Sequence, residues 1–123
     1  MNESSLNDLN SRLEPENRVT YRNFRPNIVV TDCPQYSEDN WLFVNINNLH
    51  FKYLLECSRC LLTTVNPETG QKGSEPLETL RKYRLSSNTS RFGQSPLFGV
   101  YLGPENKGTV NINDTVCAQI KTK

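Results

Sequence analysis

Two cysteines with two residues between them, in Cys57-Ser58-Arg59-Cys60, are the residues of this 123-residue chain best suited to chemistry. A thiolate is both a nucleophile and a soft-metal ligand, and a neighbouring guanidinium such as Arg59 favours that form. The spacing admits several readings. Structural zinc needs four ligands, usually from a second pair. Here the remaining candidates, Cys33, His50 and Cys117, are isolated. A thioredoxin-like redox pair should open a helix in a βαβ unit. The following Leu61 to Val65 is rich in Thr and Leu and favours a strand instead. A metal-binding or nucleophilic thiolate stays open, and so does a pair of inert thiols packed in a core. His50, the sole histidine, falls in an apolar strand pattern and reads as a hairpin residue rather than a base or ligand. A Cys/His catalytic pair is thinly supported.

Phe24-Arg25-Pro26-Asn27 is the second constellation. Pro26 biases Arg25 toward extended backbone. Arg suits bidentate recognition of phosphate, and Asn both donates and accepts hydrogen bonds to a heterocycle. On residue type alone, a surface Arg and a strand-entry Asn are the better explanation of the segment. Ser95-Pro96-Leu97-Phe98-Gly99-Val100-Tyr101 is the third. Gly99 within a strand marks a bulge or a close ligand approach, and Tyr101 offers a hydroxyl on an aromatic body, although a segment of this kind by itself is more often core packing. Glu75, Glu78 and the run Arg81-Lys82-Tyr83-Arg84 read as a solvated helix face without chemistry.

The elements that must position these residues are short. Ser5 to Asp8 fits a capping box, and Leu6, Leu9 and Leu13 share one helical face ahead of Pro15. From Val19 the pattern is β. Strand candidates are Asn27–Thr31, Trp41–Ile46, Leu49–Leu55, Leu61–Val65, Leu97–Leu102, Thr109–Ile112 and Thr115–Ile120. Asn47-Asn48 suits a tight hairpin, and Asn113-Asp114 suits a turn before the last strand. Cys33–Asn40, Asn66–Ser74 and Leu85–Ser95 read as loops. Pro76 to Arg84 is a second helix, with Pro at its first position. The sum is a β-rich α+β domain with six or seven short strands and two helices.

Composition bounds the function. With 14 basic and 13 acidic residues the net charge is +1, which gives no electrostatic case for nucleic acid or an anionic membrane. No apolar run approaches the roughly 20 residues that span a bilayer. The stretch from Met1 to Leu13 is polar and shows no secretory signal, so the expectation is either a cytosolic chain or a targeting segment outside this stretch. Four cysteines without such a signal read as reduced thiols, and the Asn-x-Ser/Thr triplets at Asn2, Asn88 and Asn113 read as chance occurrences.

The succession FRPNIVV, SEDNW, CSRCLLTTVNPETG, EPLETLRKYR, SPLFG and GTVNINDTV resembles the MOSC domain family, named for the C-terminal domain of molybdenum cofactor sulfurases. The likeness runs from about Ser4 to Val116. TTVNPETG with EPLETLRKYR is more similar to the mitochondrial amidoxime reducing components than to the sulfurase branch. The resemblance implies a β-barrel-like domain with two short helices. It implies a molybdenum-molybdopterin cofactor, a molybdenum-bound pterin dithiolene. Cys60 would be the catalytic metal ligand. Arg25, Asn27, Ser58, Arg59 and Tyr101 would be cofactor neighbours. It implies reduction of N-hydroxylated small molecules such as amidoximes, fed by NADH-cytochrome b5 reductase and cytochrome b5. A non-catalytic molybdenum-cofactor or sulfur-carrier binding module is the alternative, and pyridoxal phosphate binding is associated with the family as well. The resemblance also implies an upstream half contributing further cofactor contacts. Residues 1–123 are therefore expected to form the C-terminal portion of a MOSC domain. The full-length family is mitochondrial, at the outer membrane, whereas this chain by itself reads as soluble and cytosolic.

Overall fold

A computed structural model describes residues 1–122. The chain folds as α+β around one four-stranded antiparallel sheet in the order β3-β2-β1-β4. In chain order the elements are α1 (Glu3–Ser11), β1 (Trp41–Ile46), β2 (Leu49–Ser58), α2 (Leu77–Tyr83), α3 (Thr89–Phe92), β3 (Leu97–Pro104) and β4 (Val116–Ile120). The sheet is open, with β3 and β4 at its edges, and is not closed into a barrel.

The β1–β2 hairpin forms where the alternating pattern and Asn47-Asn48 place it. Asn47 takes φ 54°, the left-handed conformation that Asn tolerates. Ile46 pairs with Leu49 and Phe43 with Lys52. β2 then runs on to Ser58 and carries the first thiol of the motif with it. Gly99 sits in a bulge of β3. Three β3 residues span the two β2 steps from Glu56 to Ser58, and Gly99 takes φ 86°.

Two apolar clusters hold the layers. Leu6 and Leu9 of α1, with Leu13, pack with Val19, Phe24, Leu80 and Phe98. Val30, Trp41, Val44, Ile46, Leu49 and Phe51 form the second cluster on the sheet. Each fully buried Leu or Phe of this kind contributes roughly 1.5–3 kcal/mol relative to exposure.

Five local expectations are corrected. The cap of α1 is Asn2, whose Oδ1 accepts from Ser4 N at 2.9 Å, and not Ser5. Ser5 lies inside the helix and donates its hydroxyl to buried Glu38 at 3.1 Å. Asn27–Thr31 is no strand. Its only ladder contact is the bridge of Val30 with Asn2, because its partner Met1–Glu3 turns at once into α1. Leu61–Val65 is not a strand either, since Leu61–Thr64 is a 3-10 helix. The hydroxyls of Thr63 and Thr64 bond back to the carbonyls of Cys60 and Leu61, and the local bonds win over β propensity. Thr109–Ile112 has no regular structure. Asp114 Oδ2 accepts from Asn111 N at 2.7 Å and closes a turn there, with Asn113 at φ 73°. The loop Leu85–Ser95 contains the single turn α3. Four strands thus replace the six or seven anticipated.

A hydroxyl network ties α1 to α2. Tyr36 Oη lies 2.7 Å from Tyr83 Oη and donates to Asp8 Oδ2, also at 2.7 Å. Burial, with these hydrogen bonds, raises the Tyr36 hydroxyl well above the ordinary tyrosine range. Burial also pushes Tyr53 up to about 12. In the unfolded chain both titrate near the ordinary value of about 10. The folded state therefore keeps its protons longer, and this contribution is complete below about pH 10 and is lost as pH rises toward 12. The urea midpoint is expected to decline across that window and to decline less steeply for Tyr53→Phe. An identical alkaline slope in the variant would remove Tyr53 as a cause.

Candidate functional site

A cleft of about 370 Å³ opens between the Phe24–Val30 segment and the sheet. That volume lies in the range of small-molecule sites, roughly 300–1,000 Å³. Phe24, Trp41, Phe51 and Leu102 give it an apolar wall, and Arg25, Asn27, Arg59 and Tyr101 supply its polar groups. Among the described residues no Asp or Glu lines it, and both charged side chains at its surface are cations.

Four of the six candidate residues are therefore brought to one cavity from three separate stretches. Arg25 is exposed and takes φ 52°, contrary to the extended backbone that Pro26 was expected to impose. Its N–H donates to Tyr21 O at 3.1 Å, closing a turn after the 3-10 helix Tyr21–Asn23. Left-handed backbone at a non-glycine residue costs about 1–2 kcal/mol, which the closed turn holds in place. Asn27 is exposed two residues on. Tyr101 stands on β3 and is 51% exposed, its ring at the cleft surface.

Cys60 and Ser58 do not line the cleft. Ser58 ends β2 with its side chain exposed, and Cys60 caps the 3-10 helix Leu61–Thr64, also exposed. The buried thiol is the other one. Cys57 is 6% exposed and lines the cleft. The proximity of Cys57 raises the Tyr101 hydroxyl from its ordinary value. Burial lowers Arg59 from its ordinary value, and Cys57, Tyr101 and Cys60 oppose that shift in this order. The C-x-x-C segment thus divides: Cys57 faces the cleft and Cys60 faces solvent, with Arg59 electrostatically coupled to both. All four cysteines are free thiols.

His50 is exposed, with Nδ1 2.6 Å from Asn45 Oδ1 across the hairpin, as a hairpin residue should be. Cys57, Phe24, Trp41 and Gly99 also line the cleft, each inside a segment singled out from sequence but outside the expected cofactor contacts. Phe24 opens the FRPN segment and Gly99 lies inside SPLFGVY, so those segments carried the signal. Trp41 closes the SEDNW segment and opens a strand.

Among the described residues no helix is long and apolar enough to cross a membrane. The chain is 50% identical over 94% of its length to mitochondrial amidoxime-reducing component 1 of Mus musculus. It is 49% identical over 94% to the Homo sapiens protein of the same name. It is 45% identical over 98% to mitochondrial amidoxime reducing component 2 of Bos taurus. It spans 34–36% of the length of these three relatives. The family description that matches residues 1–117 is the MOSC domain, and the chain belongs to that family.

Proposed function

We propose that this chain is the C-terminal portion of a molybdenum-cofactor-binding domain in a reductase of N-hydroxylated substrates such as amidoximes. The observation that carries the reading is the convergence of Arg25, Asn27, Arg59 and Tyr101 on one cleft that no Asp or Glu among the described residues lines. Two guanidinium groups in an otherwise apolar cavity suit an anionic, planar heterocycle with a phosphate. Arg25 would complement that phosphate. Asn27 would pair with both donors and acceptors of the ring, and Tyr101 would close the mouth. The exposed Cys60 would supply one soft thiolate to the metal, and Ser58 would sit in the contacting turn. When bound, the group would supply a two-electron metal centre held by two further soft sulfurs.

The net reaction takes an N-hydroxylated substrate, two electrons and two protons to the N–H product and water. The electrons would come from NADH through a cytochrome b5 reductase and a cytochrome b5, as partners of the whole protein. Within this chain the apolar wall would exclude water. Pyridoxal phosphate is the poorer occupant, because it is held through a lysine Schiff base and no lysine among the described residues lines the cleft. The mitochondrial setting named for the relatives would be that of the whole protein.

The test is molybdenum content by mass spectrometry of the purified chain, expressed with the cofactor available, beside Cys60→Ala. Near-stoichiometric metal in the parent, lost in the variant, is expected. Metal-free parent protein overturns the reading. One observation favours a second reading, a non-catalytic cofactor- or sulfur-carrier module: Cys57 and not Cys60 reaches the cleft. Metal retained in Cys60→Ala, with no turnover on addition of cytochrome b5 and its reductase, would select it.

A further inference from the structure

Arg59 is mostly buried, yet none of the ion pairs among the described residues includes it. Its donors go to backbone instead. Nε donates to Phe98 O at 2.7 Å and Nη1 to Phe24 O at 3.0 Å. Its main-chain N–H donates to Pro96 O at 2.8 Å. Phe24 immediately precedes Arg25-Pro26-Asn27, and Phe98 lies in the strand that carries Tyr101. One planar fork therefore joins the two banks of the cleft. The side chain also lies against the Phe24 ring, with Cζ 5.2 Å from its centroid.

The third nitrogen explains Gly99. A Cβ at that position would stand 3.2 Å from Arg59 Nη2, tighter than ordinary contact, and the backbone is at φ 86°. Glycine meets both demands, the space and the conformation. A lysine cannot replace the fork, since its point charge has no rigid pair of donors to hold two carbonyls at a fixed separation.

We propose that Arg59 is the positioning residue of the cleft, clamping the segment that carries Arg25 and Asn27 to the strand that carries Tyr101 in the space that Gly99 leaves open. Sequence reasoning placed Arg59 among the cofactor contacts. The geometry commits two of its three side-chain nitrogens to carbonyls, so its main effect passes through the residues it holds. The importance of the clamp rests on the reading that the cleft receives a cofactor, but its existence is testable without one.

Trp41 is the sole tryptophan, is 7% exposed and lines the same cleft, so its fluorescence reports on the two banks. Acrylamide quenching of the full chain is compared for wild type, Arg59→Lys, Gly99→Ala, the double variant and Tyr83→Phe. Tyr83→Phe removes a hydrogen bond remote from the cleft and serves as the control for general destabilisation. Arg59→Lys is expected to raise the quenching constant about two-fold while circular dichroism keeps its native shape. Gly99→Ala should reproduce that rise by displacing the guanidinium. The double variant should exceed neither single by much, because both break one clamp. Tyr83→Phe should lower the melting temperature and leave quenching unchanged. Quenching of Arg59→Lys at the level of wild type or Tyr83→Phe overturns the proposal, and so do additive effects in the double variant. If Arg59→Lys does not fold, Gly99→Ala decides: raised quenching supports the clamp and wild-type quenching rejects it. Molybdenum content of the same preparations separates the two ideas. A metal-free wild type defeats the cofactor reading and leaves the quenching result to stand by itself.

Discussion

Phe98→Ala is expected to lower the stability of the fold by about 3–5 kcal/mol, the largest single-residue loss in the chain. Phe98 is fully buried and is the largest side chain so enclosed. Its ring packs on Phe24 at 4.7 Å between centroids and meets the edge of Tyr36 at 6.2 Å. It shares a cluster with Leu6, Leu9 and Leu80, so it joins both longer helices to β3. Those neighbours belong to rigid elements and cannot collapse into the vacated volume, which puts the cost at the upper end. A total stability of 5–15 kcal/mol is usual for a domain, so much of the margin would go. Urea unfolding of the variant beside Phe98→Leu is the check. The leucine variant keeps most of the volume and should lose clearly less. Equal losses for both would mean that filled volume at this position is not what matters.

Arg84→Met is expected to cost about 2 kcal/mol. Arg84 Nη1 lies 2.9 Å from Asp39 Oδ2 and Nη2 lies 3.1 Å from Asp39 Oδ1, a bidentate pair. Nε donates to Leu97 O at 2.8 Å, and Cζ stands 4.4 Å over the Tyr36 ring. The two side chains are 14% and 28% exposed, too buried for a negligible surface pair and too exposed for the full penalty of an isolated buried charge. Methionine retains the apolar stem, so the loss reports the polar contacts. Removing the guanidinium leaves Asp39 without its charge partner and the Leu97 carbonyl without its side-chain donor. The double variant Asp39→Asn/Arg84→Met should recover part of the loss, since it no longer strands a carboxylate. Chemical denaturation of the single and double variants tests this. A double-variant loss equal to the sum of the two single losses would show that the pair is not coupled as its geometry indicates.

The hairpin, both longer helices and the bulge were legible in the sequence, because each depends on residues within a few positions of one another. Alternating apolar positions set β1 and β2. Asn47-Asn48 supplied left-handed backbone, and Gly99 marked the irregular step of β3. The family pattern also picked out Arg25, Asn27, Arg59 and Tyr101, which the fold gathers into one cleft. Their convergence, however, was not a property of any segment by itself. Arg59 reaches carbonyls 35 and 39 positions away, at Phe24 and Phe98, and no periodicity encodes that.

The failures have the same origin. Ile28, Val29 and Val30 have strand composition, but a strand needs a partner, and the one on offer turns into α1 after a single bridge. Leu61–Val65 has strand composition too, and two threonine hydroxyls bending back to nearby carbonyls made it a 3-10 helix. That change turned Cys60 outward to solvent, while the register of β2 turned Cys57 into the cleft. The sequence by itself determined which residue types are available for chemistry and the hairpin and helices near them, because side-chain type and local pattern are short-range properties. Only the tertiary structure decided which thiol faces the cavity and which arginine holds it together, because those outcomes depend on hydrogen-bond partners distant along the chain.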